Sequence, residues 1–327
     1  MTTLSVLDLV HVREGHTPAD ALPEALDFAR HAEKLGYKRF WVAEHHNMIG
    51  ISSAATSVVI GYLAGGTSSI RVGSGGIMLP NHSPLQIAEQ FGTLESLYPG
   101  RVDLGLGRAP GTDQLTAQAM RRDLHAAAER FPQDVQELQR LLDEAKPNQP
   151  IQAVPGAGLK VPLWMLGSSL FGAQLGARLG LPYAFASHFA PDALDSALAT
   201  YRERFQPSEQ LQTPYAVPCI NVIVADTDDE ARYLYTTLQQ MFIGMMRGRR
   251  GLMPAPIDDI ESYWNSAEKA QVSHMLSCAF VGSADTVRTG LEQFLQRTQA
   301  EELMISMPIF DRTARARSLE LLAGIGI

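Results

Sequence analysis

Phe40-Trp41-Val42-Ala43-Glu44-His45-His46-Asn47 decides the fold: a buried apolar run stops abruptly in a cluster of titratable side chains. The pattern recurs about every 30 residues, at the spacing of a strand–helix unit. Val72-Gly73-Ser74-Gly75-Gly76-Ile77-Met78-Leu79 gives way to Pro80-Asn81-His82, and Val102-Asp103-Leu104-Gly105-Leu106-Gly107 gives way to Arg108. Strands that repeatedly finish in titratable or phosphate-seeking residues at their C-terminal ends are how an α/β barrel builds an active site. The pattern therefore reads as that of an enzyme.

Helical spacing fills the intervals. Leu22, Ala25, Leu26, Ala29, Ala32 and Leu35 lie on one helical face, with Gly36 placed to end the helix. Residues 54–64 form an apolar helix, and Pro84 opens another that runs to Tyr98. Strand and helix in alternation demand parallel pairing with right-handed crossovers. The rhythm resumes with strands at 163–166, 183–186, 215–225 and 303–307, and with helices at 171–179, 191–205, 228–246 and 313–322. Eight units predict a (β/α)8 TIM barrel in a single domain over 1–327, with insertions at about 110–162 and 248–278. Gly248 to Ser277 reads as a lid hinged by glycine and proline. An open doubly wound sheet is the alternative fold.

Composition narrows the class. Of 327 residues, 45% are hydrophobic and 19% charged, which suits a large globular core. The net charge of -8, with no basic stripe, argues against a nucleic-acid partner. No apolar run is long enough to span a membrane and no basic leader opens the chain, so a cytoplasmic protein is expected. Cys219 and Cys278 lack CxxC spacing and read as buried thiols in a reducing compartment.

The candidate residues each carry two readings. His45 is either a satisfied structural histidine or an imidazole for acid–base work near neutral pH. A metal site would need more converging ligands than Glu44, His82 and His188 supply at recognisable spacing, so none is expected. Glycines at 73, 75 and 76 mark either a bulge or the close approach of a flat ring. Arg108 offers a rigid fork of donors for a phosphate or for a neighbouring acid. Gly167-Ser168-Ser169 opens a helix, as an N-cap or as an anion site. No lysine sits at a predicted strand end, which argues against Schiff-base aldolases, and no GxSxG elbow occurs. A cofactor held by its phosphate fits what is left.

Together, residues 41–47, 73–80, 99–108 and Gly180-Leu181-Pro182 resemble the bacterial luciferase-like flavin monooxygenases, in motif order over nearly the whole chain. The AEHHN and LPNHSP stretches at 43–47 and 79–84 are similar to an uncharacterised luciferase-like oxidoreductase subgroup. The resemblance implies a barrel that binds reduced FMN at its C-terminal mouth. A separate flavin reductase would supply the FMN, and O2 would oxidise a small organic substrate. It places His45 at the flavin, a cis Gly75–Gly76 peptide against the flavin ring, and Arg108 with Gly167, Ser168 and Ser169 on the phosphate. His82 and His188 are expected to line the substrate pocket, and a homodimer is expected through the early helices. The reactive cysteine of luciferase falls at Gly107 and the acid before its phosphate-binding serine at Gly167, so light emission is not implied. Asp8 is atypical as well. An F420-dependent dehydrogenase on the same fold, and a flavin-binding protein without turnover, are the alternatives.

Overall fold

The computed structural model describes residues 2–109, 114–120 and 124–327. Its strands are β1 (Thr3–Asp8), β2 (Arg39–Val42), β3 (Arg71–Met78), β4 (Val102–Gly107), β5 (Leu163–Gly167), β6 (Tyr183–Phe185), β7 (Ala216–Val224), β8 (Ala279–Gly282) and β9 (Glu302–Ser306). Its first helices are α1 (Pro18–Lys34), α2 (Thr56–Gly65), α3 (Pro84–Leu97), α4 (Gln114–Ala119) and α5 (Leu124–Leu142). They are followed by α6 (Leu170–Leu179), α7 (Leu194–Arg204), α8 (Asp228–Met246), α9 (Ser266–Met275), α10 (Ala284–Thr298) and α11 (Arg312–Ile325).

All pairings between the strands are parallel. The ring closes through β6 on β7, β7 on β9 and β9 on β1, giving an eight-stranded TIM barrel with helices outside. Closure rules out the open doubly wound sheet. The ninth strand, β8, pairs only with the second half of β7, Asn221 to Val224, and lies outside the ring. Residues 279–298 had no assignment in the sequence reading, because Ala279–Gly282 is too short and only half-buried to stand out; they form β8 and α10.

Two-residue alternation sorts the side chains. Leu7, Trp41, Ala43, Trp164, Ala184, Val217, Cys219 and Met304 fill the lumen, with Trp41 edge-on to Trp164 at 5.0 Å. Val6, Phe40, Val42, Val72, Leu104 and Ile305 face the helices. The N-terminal face is sealed by charge. Arg39, at the start of β2, meets Glu302 at 2.9 Å and Asp103 at 3.0 Å. Asp103 also holds Arg71 and the Trp41 indole N–H, while Ser5 and Tyr215 donate to Glu302. Every buried charge there has an opposite partner, which such burial requires. The bottom is thus a plug, and chemistry is left to the top.

Asp8 also receives a place. The alternation puts it on the outer face of β1, where it accepts the Val10 N–H at 3.0 Å and pairs with Arg315 of α11 at 3.1 Å. The Arg315 guanidinium lies 3.8 Å from the Phe28 ring centroid, so Asp8 ties β1 to α1 and α11.

The stretch read as a lid is anchored at its start. Met253 exchanges backbone bonds with Val12 and Glu14, and Pro254 and Ala255 accept from Thr237 and Gln240 of α8. Further on, α9 is started by an Asn265–Glu268 capping box and buries Val272 against Leu238 and Ile243. Among the described residues, no helix is long and apolar enough to cross a membrane.

Candidate active site

The three strand ends meet around one carboxylate. β2 ends at Val42, so Glu44, His45 and His46 lie beyond the strand and escape its strict alternation. Glu44 is buried, and its backbone N–H donates to the Gly76 carbonyl. Its Oε1 accepts from His46 Nε2 at 2.7 Å and from Asn81 Nδ2 at 3.0 Å. Its Oε2 accepts the Met78 N–H at 2.8 Å, and His82 Nε2 lies 2.9 Å from both oxygens. An ionised carboxylate only accepts, so each imidazole presents an N–H to it. Burial by itself would raise the Glu44 pKa. The hydrogen bonds from His46, His82 and Asn81, with the charge of His82, outweigh burial and hold it at about 2. Glu44 therefore clamps the end of β2 to the turn that follows β3. The sequence reading had set His82 in the substrate pocket; the structure sets its Nε2 on this clamp.

Beside the clamp lies the glycine seat. The Gly75–Gly76 peptide is cis, and the β3–β4 register shifts between Ser74 and Ile77. A Cβ on Gly76 would sit 2.7 Å from the Gly105 carbonyl oxygen, and one on Gly75 would sit 2.8 Å from Leu7 Cδ1. Only glycine lets these strands approach so closely.

Arg108 follows β4 and is exposed. Its guanidinium stacks 4.0 Å from the centroid of Phe171, in the first turn of α6. Ser168 and Ser169 are exposed next to it, and the Ser169 side chain does not cap the helix it precedes. A planar cation, two hydroxyls and a helix start without a side-chain cap thus share one place, a donor set suited to a phosphate. Gly167 leaves room there, since a Cβ on it would meet nothing closer than 3.5 Å.

A second group of imidazoles sits on the rim. His45 follows β2, His188 lies three residues beyond β6, and His11 lies three residues beyond β1. Burial pushes His188 down to about 3, with the neighbouring His45 adding to it. Burial likewise lowers His11 to about 4, opposed by Asp8 and aided by Arg315 and His45. His11 also lines a cavity with Arg13, Glu24, Asp27 and His31, beside α1 and α11. Between the end of β2 and α4, a cavity of about 520 Å³ is lined by His46, Asn47, Leu115, Thr116, Ala119 and Met120.

The sequence reading missed His11, the hub role of Glu44 and the Phe171 platform. His11 carried the signal of the three opening motifs, a titratable residue just past a strand. Phe171 carried none, because stacking partners from different units cannot be seen in one dimension.

Comparison with known proteins places the chain in a family. The luciferase-like monooxygenase family model matches residues 2–302. A luciferase-like monooxygenase of Escherichia coli K12 is 54% identical over 317 residues, covering 97% of this chain and 95% of the relative. The crystal structure of apo-MsnO8 superposes with a TM-score of 0.88 at 35% identity, covering 99% of this chain and 98% of that one. Two more distant structures share the fold. The oxygenating constituent of 3,6-diketocamphane monooxygenase from Pseudomonas putida, in complex with FMN, has a TM-score of 0.73 at 17% identity, covering 98% and 96%. An F420-dependent secondary alcohol dehydrogenase, with an F420–acetone adduct, has 0.72 at 16%, covering 99% and 98%. Matched along nearly its whole length by family model, relative and structure, the chain belongs to the luciferase-like monooxygenase family.

Proposed function

We propose that this chain is an FMN-dependent monooxygenase that takes reduced flavin from a separate reductase and oxidises a small organic substrate with O2. The observation that carries the reading is the Arg108–Phe171 stack beside the uncapped start of α6, with Ser168 and Ser169 exposed next to it. Arg108, Ser168, Ser169 and the Gly167 backbone would hold the phosphate, and Gly75 and Gly76 would face the ring. When bound, reduced FMN supplies the electrons that activate oxygen. His45 holds or moves the proton at the mouth, and Glu44 keeps its neighbours His46 and His82 in place. His188 contacts substrate, and His82 acts through Glu44.

Two further parts of the reading follow. Val58 and Tyr62 on α2, and Leu97 on α3, are exposed at 71%, 44% and 63%, which supports a homodimer through these helices. Cys219 and Cys278 are free and buried, which suits a reducing cytoplasm.

The F420 complex on this fold keeps one second reading alive, a hydride-transferring dehydrogenase. Titrating the protein with FMN and with F420 separates them. Tighter FMN binding, weakened about 10- to 100-fold by Arg108→Ala and spared by His45→Ala, is the expected result for a charge-assisted contact. Tighter F420 binding would overturn the FMN assignment, and FMN binding indifferent to Arg108 would overturn its role.

A further inference from the structure

We infer that Tyr183 is a positioning residue for the phosphate site. Its hydroxyl acts from beneath on the turn between β5 and α6 and holds the backbone at 168–170 with its N–H groups turned towards the ligand. The inference rests on the reading of that turn as the phosphate holder.

Ser169 stands where a helix takes its cap, and a serine there commonly accepts a first-turn N–H through its side chain. The Ser169 side chain makes no such bond. The turn is held from below instead. Tyr183 opens β6, is fully buried, and donates from its hydroxyl to the Ser169 carbonyl at 3.2 Å. Burial pushes its phenol up, so it is protonated and donates throughout the ordinary pH range. The ring has little room to turn away. It stands edge-on to Phe185 at 6.2 Å and tilted on Tyr201 at 5.4 Å. The first turn of α6 rests on it, since a Cβ on Gly172 would come within 3.3 Å of Tyr183 Cε2.

The peptide before it is fixed from the same strand. The Gly167 carbonyl accepts the Ala186 N–H at 2.9 Å, just past the end of β6. Both peptides, 167–168 and 169–170, are trans, and a trans peptide points its N–H opposite to its C=O. With the two carbonyls turned onto β6, the N–H groups of Ser168 and Leu170 are turned away from it. That side is the open one, where Ser168, Ser169 and Leu170 are all exposed. A cap made by the Ser169 hydroxyl would fix the helix start equally well, but it would consume a hydroxyl and a helix N–H. Fixing the turn through Tyr183 leaves both serine hydroxyls and the outward N–H groups for an anion, beside the stacked Arg108.

Tyr183→Phe removes the hydroxyl and keeps the ring. Tyr201→Phe is its control, because the Tyr201 hydroxyl serves the Leu181 carbonyl and the Tyr215 N–H instead. The full chain is titrated anaerobically with reduced FMN and with reduced riboflavin, which has the same ring and no phosphate, following tryptophan fluorescence. The wild type should favour FMN. Tyr183→Phe should weaken FMN about three- to tenfold, the size of one hydrogen bond, and leave riboflavin within about twofold. Tyr201→Phe should leave the ratio of the two affinities unchanged. Circular dichroism and melting confirm that both variants fold. Equal weakening of both flavins by Tyr183→Phe, FMN binding indifferent to it, or the same loss of preference in Tyr201→Phe would overturn this inference alone. Wild-type protein that binds the two flavins alike, or binds neither, would overturn the phosphate reading and this inference with it.

Discussion

Glu44→Gln tests the clamp most directly, because it keeps volume and removes one acceptor and the charge. Oε1 serves His46 and Asn81, Oε2 serves Met78 N–H, and His82 reaches both. An amide has a single oxygen. If its nitrogen takes the Oε1 place, two donors face an NH2; if it takes the Oε2 place, the Met78 N–H does. The cheaper flip loses one charge-assisted bond and weakens the others, costing about 2–4 kcal/mol at about 1.5–3 kcal/mol per hydrogen bond to a charged group. With an unfolding entropy of about 2.1 cal/mol/K per residue, that is a fall in Tm of about 3–6 °C by calorimetry near neutral pH. The pH dependence has a fixed sign. A carboxylate held at about 2, against its ordinary 4.5, stabilises fully above 4.5 and loses that contribution as pH falls towards 2. The gap between wild type and variant should therefore narrow through that window. A gap under about 1 °C near neutral pH, or one unchanged down to about pH 2.5, would refute the clamp.

Other outcomes follow from the same geometry. Arg39→Met leaves Glu302 with its charge uncompensated in the barrel floor, so calorimetry should record a loss of about 3–5 kcal/mol, whereas a neutral result would deny the plug its role. Gly76→Ala drives a Cβ towards the fixed Gly105 carbonyl, while Gly75→Ala meets the movable Leu7 side chain. Urea denaturation should therefore show the Gly76 change costing about 1–3 kcal/mol and the Gly75 change less. Val58→Lys, on the exposed apolar face of α2, should convert a dimer to monomer in analytical ultracentrifugation; an unchanged sedimentation coefficient would place any interface elsewhere.

Much of the barrel is legible because parallel strands buried on both faces read as unbroken apolar runs. Trp41 and Val42 are buried on opposite sides of β2, and the run shows it. β8 is not legible: it touches one neighbour, is half-buried, and its residues carry no pattern of their own. The stretch read as a lid shows a related limit. Gly248, Gly251 and Pro254 look like hinges in a string, but Met253 is bonded to Val12 and Glu14 across the chain.

At the site, the sequence by itself determined which residue types stand where strands end: Glu44 and His45 after β2, the glycines within β3, Arg108 after β4, and Ser168 and Ser169 before α6. It did so because a barrel's strand ends form one face, so position along the chain already fixes membership of that face. Only the tertiary structure decided which of these side chains touch. Glu44 gathers His46, Asn81 and His82 although up to 38 positions separate them. Phe171 lies under Arg108. Contacts of that kind depend on how neighbouring strand–helix units pack side by side, which no single strand encodes.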